Sequence, residues 1–353
     1  MSRNAPTLLL FTICAISLFV VTAASRAVDP AKTILLPEIP RSRVVIIQNS
    51  EATELFETVP EKVRAMVNHG MTNFMGEKSV SASWLKLVST GDVVGIKVCS
   101  APGPKIGTRP AVVAGVVEGL LAAKIPAKQI FIWDKYLSDL KRSGFAELAA
   151  RYSVRLAGSA ESGYDDKTFY ESQIIGQLIW GDLEFGRRGE GVGKKSYVSK
   201  LITRQLTKII NITPLLNHNR AGVAGNLYTL AHDSVDNFVR FENEPRFLSE
   251  AVPEIYALPS LGDRVVLTIV DALICQYEGE ELSRLHYSNV LNELRLSTDP
   301  VALDILSLRE LEAQRKAFGM DLSHTNGLAI YSNAALLDLG NNDLTRVRVE
   351  HIR

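Results

Sequence analysis

Short runs rich in valine and isoleucine alternate with helix-like segments along most of this 353-residue chain. Such runs are typical of buried strands, and their alternation with helices favours βα units. The pattern therefore predicts an α/β fold with a mainly parallel sheet and helices on both of its faces. The predicted strands are Arg43–Gln48, Val93–Val98, Gln129–Trp133, Thr207–Ile212, Arg264–Val270 and Arg346–His351. The predicted helices are Pro60–Asn68, Pro110–Ala123, Ser138–Tyr152 and Pro300–Phe318.

The last of these helices has a clear start. Asp299 suits the N-cap, where a carboxylate accepts backbone N–H bonds, and Pro300 suits the first helical position. Asp304 then shares one face of the helix with Val301 and Leu308, so its side chain is predicted to point inward. A buried carboxylate needs a partner. Asp304 therefore either ties the helix to a neighbouring loop or belongs to a functional site.

Residues 1–27 have the organisation of an export signal. Arg3 precedes the apolar run Leu8–Val21, and small residues follow it, with predicted cleavage after Ala24 or Ala27. The sequence therefore predicts an exported protein, periplasmic or extracellular. The longer stretch Leu8–Ala24 is near the lower length limit for crossing a bilayer. An uncleaved N-terminal helix that anchors the protein in the membrane is the alternative.

Charge and cysteine content exclude several classes of protein. The chain has 39 basic and 39 acidic residues, with no basic stripe or domain that would indicate nucleic-acid binding. Beyond the export signal it has two cysteines, Cys99 and Cys275, which can form a bridge or lie far apart. No C-x-x-C spacing occurs, so no iron–sulfur motif is predicted. The histidines lack metal-ligand spacing, and the cofactor remains unknown.

The segment from Ala157 to Lys200 differs from the rest of the chain. Five glycines fall between Gly181 and Gly193, among charges of both signs. The basic stretch 187–196 lacks the spacing of a phosphate-binding loop. We therefore predict one α/β domain over residues 28–353, with 157–200 as an inserted lobe or lid.

Charged side chains are predicted at the carboxyl ends of several strands, where open parallel sheets bind ligands. Lys97 ends an apolar strand, Asp134 follows the next one, and Asp271 ends a later one. A lysine in such a strand is costly unless it faces a carboxylate, an anionic ligand or a cleft. Lys97 is therefore either a site residue or the partner of Asp271 or Asp134 in a structural ion pair.

A proline- and glycine-rich loop, Ser100–Thr108, leads into the helix predicted from Pro110. Backbone N–H groups at a helix N-terminus can hold a phosphate or carboxylate, here with Thr108 and Arg109 contributing. The alternative is a surface turn in which Thr108 caps the helix.

The chain contains several motifs in a fixed order: Gly95-Ile96-Lys97, Thr108-Arg109-Pro110, Ile269-Val270-Asp271-Ala272-Leu273, Glu278-Gly279 and the stretch from Ser297 to Asp304. Together these motifs resemble the family catalogued as domain of unknown function 362. The resemblance covers about residues 90–318 and implies an α/β fold with a site at the strand ends. Some members of the family carry a ferredoxin-like cluster segment, which this chain lacks.

The resemblance also points to His218. The family often has a lysine just before this histidine and another in the following helix, where this chain has Asn217 and Tyr228. Cys99 stands where the family commonly has an asparagine. A neutral imidazole can act as a general base or metal ligand. The alternative is a loop histidine bonded to the backbone, and the replaced lysines weigh against an activity that needs a cationic pocket.

These observations favour an exported enzyme that acts on a small anionic molecule in one cleft at the carboxyl ends of the strands. The catalytic candidates are Lys97, His218, Asp271 and Asp304, and the ligand-binding candidates are Thr108, Arg109 and Asp134. The reaction stays open. The competing interpretation is a non-catalytic exported protein that binds a ligand or partner in the same cleft.

Overall fold

A nine-stranded sheet forms the centre of the computed structural model, which describes residues 42–280, 282–320 and 328–353. The strands of these residues, some of which lie outside this sheet, are β1 (Ser42–Gln48), β2 (Thr53–Glu54), β3 (Glu57–Thr58), β4 (Val94–Val98), β5 (Ile130–Asp134), β6 (Arg155–Gly158), β7 (Tyr164–Glu171), β8 (Lys195–Ser199), β9 (Lys208–His218), β10 (Gly222–Val223), β11 (Val265–Gln276), β12 (Ser288–Ser297) and β13 (Val347–Ile352).

The order of strands across the sheet is β13-β1-β12-β11-β9-β4-β5-β6, with β10 beside β9. The five strands from β11 to β6 are parallel, as are β13 and β1. The α/β fold with a mostly parallel sheet is therefore confirmed. The sequence pattern missed β12, which runs antiparallel to both of its neighbours and makes the sheet mixed. Polar residues are interspersed along β12, so it lacks the continuous apolar run by which the other strands were predicted.

The helices connect these strands; the one predicted over Pro60–Asn68 extends further, to Met75, whereas those predicted over Pro110–Ala123 and Pro300–Phe318 end one residue earlier. They are α1 (Pro60–Met75), α2 (Val80–Leu85), α3 (Pro110–Ala122), α4 (Leu137–Arg142), α5 (Phe145–Tyr152), α6 (Asn226–Ser234), α7 (Pro245–Tyr256), α8 (Pro300–Ala317) and α9 (Leu328–Leu336).

One predicted helix, Ser138–Tyr152, is two helices in the structure. The break falls at Gly144, whose φ of +82° is a left-handed conformation that suits glycine. By contrast, the start of α8 is as predicted, because the Asp299 side chain accepts a hydrogen bond of 2.8 Å from the N–H of Ala302.

The sheet is buried on both faces. The core on one face, here the α3 face, includes residues of α1, α2, α3 and α5, and that on the other, the α6 face, includes residues of α6, α7, α8 and α9. Successive residues of a strand point to opposite faces. On β4, Ile96 and Val98 face α3, and Lys97 faces α6; on β11, Ile269 faces α3 and Val270 faces α6.

The segment 157–200 includes a hairpin that is separate from the main sheet. β7 and β8 pair antiparallel, and the β8 residues Tyr197 and Val198 are buried. Asp236 ties this segment to the rest of the protein by accepting backbone N–H bonds from Tyr197 and Leu183. Most of residues 172–194 between the two strands is exposed or half-buried.

The predicted export signal, residues 1–27, lies outside the described residues. Within the part of the chain that the structure describes, no helix combines the length and apolar character needed to cross a membrane.

Backbone amides of residues 172–194 are expected to exchange with solvent faster than those of β4. Every residue of β4 is buried between two neighbouring strands, whereas the 172–194 stretch has no regular strand or helix and much exposed surface. Hydrogen–deuterium exchange followed by mass spectrometry measures both segments in one sample. Equal protection of the two segments would contradict this expectation.

Candidate functional site

The side chain of Lys97 is fully buried at the carboxyl end of β4, where it lies between two aspartates. Its Nζ is 3.0 Å from a carboxylate oxygen of Asp134 at the end of β5, and 2.7 Å from one of Asp233 on α6. It also donates to the carbonyl oxygen of Val98. Lys97 is thus the centre of a buried ion-pair cluster, in which Asp134 was anticipated as a partner and Asp233 was not.

Each charge of this cluster shifts the pKa of the others. Burial alone would lower the pKa of Lys97, but Asp134 and Asp233 outweigh it and raise that pKa above its usual value. Burial would also raise the pKa of Asp233, but Lys97 and His232 hold it well below its usual range. The pKa of Asp134 is raised by burial and by the negative charge of Asp233, against the opposing effect of Lys97. Lys97 and Asp233 are therefore the firmly charged pair.

Hydrogen bonds fix the orientation of Asp134. Its carboxylate accepts bonds of 2.7 Å from the N–H of Ser100 and 2.6 Å from the Ser100 hydroxyl, and one of 2.9 Å from the N–H of Lys135. These donors come from the loops that follow β4 and β5. The carboxylate therefore holds the two strand ends together as well as facing Lys97.

His232 extends the cluster toward solvent. Its Nδ1 is 2.5 Å from the second carboxylate oxygen of Asp233, and its ring stacks on Tyr228 with centroids 5.7 Å apart. A quarter of its side chain is exposed. The sequence shows no metal-ligand spacing around this histidine, and no role was predicted for it. The adjacent pair His232-Asp233 was visible, but nothing in the sequence placed it opposite Lys97.

Two adjoining cavities lie at these strand ends. The inner cavity has a volume of about 230 Å³ and is lined by residues that include Asp134, Tyr228, His232 and Asp233. The outer cavity has a volume of about 490 Å³. Both are lined by Lys135, Tyr136 and His232, so these three residues mark where the cavities meet.

Lys135 places a second amine at this junction. Its Nζ donates to the carbonyl oxygens of His232 (3.0 Å) and Val235 (3.2 Å), at the C-terminal end of α6. Burial lowers its pKa, and Asp233 is the first of several carboxylates that oppose this effect. An ammonium has three N–H donors. Two of them are assigned here to backbone carbonyls, which leaves one for a ligand.

Asp271 lies on the other face of the sheet from Lys97. It follows Ile269 on the α3 face, and its carboxylate accepts bonds from the guanidinium (2.8 Å) and the backbone N–H (3.0 Å) of Arg109. The prediction that Lys97 and Asp271 line one pocket, or pair with each other, was therefore wrong. Strand register explains the difference, because Lys97 aligns with Asn211, whereas Asp271 aligns with Pro214, an odd number of residues further along β9.

The predicted ligand-binding residues Thr108 and Arg109 are engaged within the protein. The Thr108 hydroxyl donates to the carbonyl oxygen of Ile212 (2.7 Å) and accepts from the N–H of Cys99 (2.9 Å). Arg109, not Thr108, is the N-cap residue of α3, and no side chain caps this helix. The predicted cap at Thr108 was therefore wrong. The guanidinium of Arg109 also donates to the carbonyl oxygens of Lys105 and Ile274.

Asp304 is fully buried and binds the N-terminus of α6. Its carboxylate accepts bonds from the N–H of Asn226 (2.7 Å) and of Leu227 (3.0 Å), and from the Asn226 side-chain amide (2.8 Å). Gly225 permits this approach, since a Cβ there would lie 2.4 Å from a carboxylate oxygen of Asp304. Of the two interpretations offered by the sequence, the geometry matches a tie between α8 and a neighbouring segment.

His218 is buried beside the inner cavity without lining it. Its Nδ1 accepts the N–H of Ala221 at 3.0 Å, and its ring packs on Tyr228, with centroids 4.3 Å apart. Burial lowers the pKa of His218 to about 4, so the ring is neutral at physiological pH. The Ala221 contact matches the alternative of a loop histidine bonded to the backbone. Any catalytic role for His218 stays a prediction.

The two described cysteines, Cys99 and Cys275, are buried, and no disulfide joins them. Burial raises the pKa of the Cys275 thiol to about 12. Among residues 42–280, 282–320 and 328–353, no group of three or more histidine, cysteine, aspartate or glutamate side chains is placed to hold a metal ion.

Comparisons with known proteins include a distant structural likeness. No model of a known protein family matches this chain, and no curated protein matches it. A crystal structure of a protein from Thermotoga maritima, solved in a structural genomics programme, is similar to it with 12% sequence identity and a TM-score of 0.41. The match covers 77% of this chain and 60% of that chain. This likeness supports no statement about function, and the resemblance to domain of unknown function 362 stays a prediction.

Lys97→Met should destabilise the protein by about 3 to 5 kcal/mol, because it leaves Asp134 and Asp233 buried without their cation. Urea unfolding of parent and variant measures the difference. Lys105→Met is the matched control: Lys105 is half-exposed and pairs with the exposed Glu57, so its loss should change stability by less than about 1 kcal/mol. Equal stability of the two variants would show that the Lys97 cluster does not hold the fold.

Asp304→Asn should make stability less dependent on pH. Burial raises the pKa of Asp304 to about 7, although its N–H donors oppose the shift. The folded state therefore holds the Asp304 proton more tightly than the unfolded state, and this contribution to stability is lost as pH rises from about 4 to about 7. Asparagine resembles the protonated form. Relative to the parent, the melting temperature of the variant should thus rise between pH 4 and pH 8, and a constant difference would contradict the shift.

Proposed function

We propose that this protein is an enzyme that transfers protons on a small anionic molecule bound in the inner cavity. One observation carries the proposal: contacts run without a gap from Asp134 through Lys97 and Asp233 to His232, and both ends of this chain line the inner cavity. A carboxylate and an imidazole that face one cavity are suited to general acid–base catalysis.

In this proposal His232 is the general base and Asp233 positions it. When Nδ1 carries the proton that Asp233 accepts, Nε2 is left with a lone pair for the substrate. Lys97 keeps Asp233 charged, so the aspartate can stabilise the imidazolium that forms when His232 takes a proton. Asp134, whose pKa is raised, is the group that returns a proton on the opposite side.

Lys135, rather than Lys97, is the proposed anion-binding residue. The carboxylate of Asp233 already neutralises the charge of Lys97, and the Lys97 side chain has no exposed surface. Lys135 lines both cavities and has a donor left for a ligand. An anion at this point would also lie close to His232.

The proposal includes export of the chain, with residues 28–353 as the mature protein, and membership of the resembled family. A non-catalytic binding protein is the second candidate. It is favoured by the position of His218, whose Nδ1 is bonded to the backbone and whose ring is outside the inner cavity lining.

A retention and turnover experiment tests the proposal. The purified parent protein is incubated with a pool of small carboxylates and phosphorylated compounds, and mass spectrometry identifies those it retains on ultrafiltration and those it converts. We expect the parent to convert a retained anion. His232→Asn should slow conversion at least about 100-fold, since the general base is lost, with little change in retention.

The controls separate the two candidate functions. Lys135→Met should reduce retention of the anion, and Lys105→Met should leave retention and conversion unchanged because Lys105 lies outside both cavities. Retention without conversion would favour the binding protein. If the His232→Asn variant converts the anion at the parent rate, His232 is not the general base.

A further inference from the structure

The outer cavity is lined by aromatic rings. Tyr136, Tyr164, Trp180 and Phe238 all contribute to its wall, and His232 lies where it meets the inner cavity. Small-molecule sites typically combine such apolar and aromatic walls with a few placed polar groups. The polar groups here include the Lys135 amine, which both cavities share.

Trp180 is the unusual member of this wall. It is 86% exposed, whereas the other two tryptophans of the chain, Trp84 and Trp133, are fully buried. Covering an exposed indole removes apolar surface from water, which is favourable. Its ring meets Phe185 edge-on with centroids 5.7 Å apart, so it has a defined contact beside the cavity. A ligand that packs on Trp180 would bury the exposed indole face.

The two chemical features lie along one path. The aromatic wall occupies the outer cavity, the Lys135 amine lies at the junction, and His232 and Asp134 follow in the inner cavity. A molecule that fills this path has an apolar ring at one end and a negative charge near the lysine. Aliphatic anions would leave Trp180 uncovered, and neutral aromatic molecules would leave the third N–H donor of Lys135 without an anionic acceptor.

We infer that the ligand of this cleft is a planar aromatic anion whose ring packs on Trp180 in the outer cavity and whose charged group binds Lys135. This inference rests on the proposed function for the location of the site and adds the chemical class of the substrate. It makes Trp180 a specificity-determining residue.

Three probes test the inference on the full-length protein: benzoate, which has a ring and a charge, acetate, which has only the charge, and benzyl alcohol, which has only the ring. Quenching of tryptophan fluorescence by acrylamide reports Trp180 selectively, because Trp84 and Trp133 are buried. Acrylamide is neutral and does not compete for an anion site. Benzoate should protect Trp180 from quenching more than either other probe at the same concentration.

Variants then assign the two contacts by equilibrium dialysis of benzoate. Trp180→Ala should weaken binding about tenfold, and Trp180→Phe should retain most of it, since a ring remains to stack. Lys135→Met should abolish the preference for benzoate over benzyl alcohol. Leu336→Ala is the matched control, because Leu336 is 82% exposed on α9, and it should bind benzoate like the parent.

Equal protection by acetate, absence of protection by benzoate, or benzoate binding that Trp180→Ala leaves unchanged would each overturn the inference. Failure of the proposed function looks different. A protein that binds benzoate through Trp180 but converts no retained anion keeps this inference and loses the enzymatic proposal. A protein that converts an aliphatic anion independently of Trp180 keeps the enzymatic proposal and loses this inference.

Discussion

One ammonium group between two carboxylates connects the parts of this protein that form the cleft. Lys97 comes from β4, Asp134 from β5 and Asp233 from α6, so the cluster fixes two strand ends and a helix at a single point. Removing charges from water is costly, and a buried ion pair is often no more stable than apolar residues of the same volume. The cluster is therefore better explained by the positions it imposes than by net stability. Its effect is to hold Asp134 and His232 at the same cavity.

Helix α6 depends on buried carboxylates at both of its ends. Asp304 accepts the N–H groups at its start, and Asp233 binds Lys97 near its end. Because an α-helix is a stiff rod, fixing both ends sets the rotation of α6 as well as its position. Tyr228 and His232 lie four residues apart on α6, so they project from one face, toward the inner cavity. Asp304 thus affects the site without lining it, because it positions α6, the helix that carries Tyr228, His232 and Asp233.

The sequence predicted what depends on local pattern. Apolar runs located the strands at both ends of the chain, and Asp299 with Pro300 located the start of α8. The sequence pattern also correctly placed Lys97 and Asp134 at strand ends. The predicted lengths of β9 and β11 were too short. Both strands continue through polar residues such as Asn217 and Gln276, which are buried among neighbouring strands. Burial of those residues comes from tertiary pairing, which a local pattern does not contain.

The prediction that all the candidate residues line a single cleft was wrong for a related reason. The alternation within one strand shows which of its own residues point to the same face of the sheet. Only the register between strands shows whether residues of two different strands share a face. Lys97 and Asp271 both end apolar runs, yet register assigns the first to α6 and the second to the N-terminus of α3. The Lys97 cluster and the Arg109–Asp271 ion pair thus lie on opposite faces of the sheet, although both are buried groups of opposite charges. Arg109–Asp271 joins α3 to β11 through backbone and side-chain bonds that leave Asp271 with no exposed surface, whereas the Lys97 cluster continues through His232 to an open cavity. Accessibility at the end of the charge chain, rather than the presence of a buried ion pair, distinguishes the candidate site from a structural link.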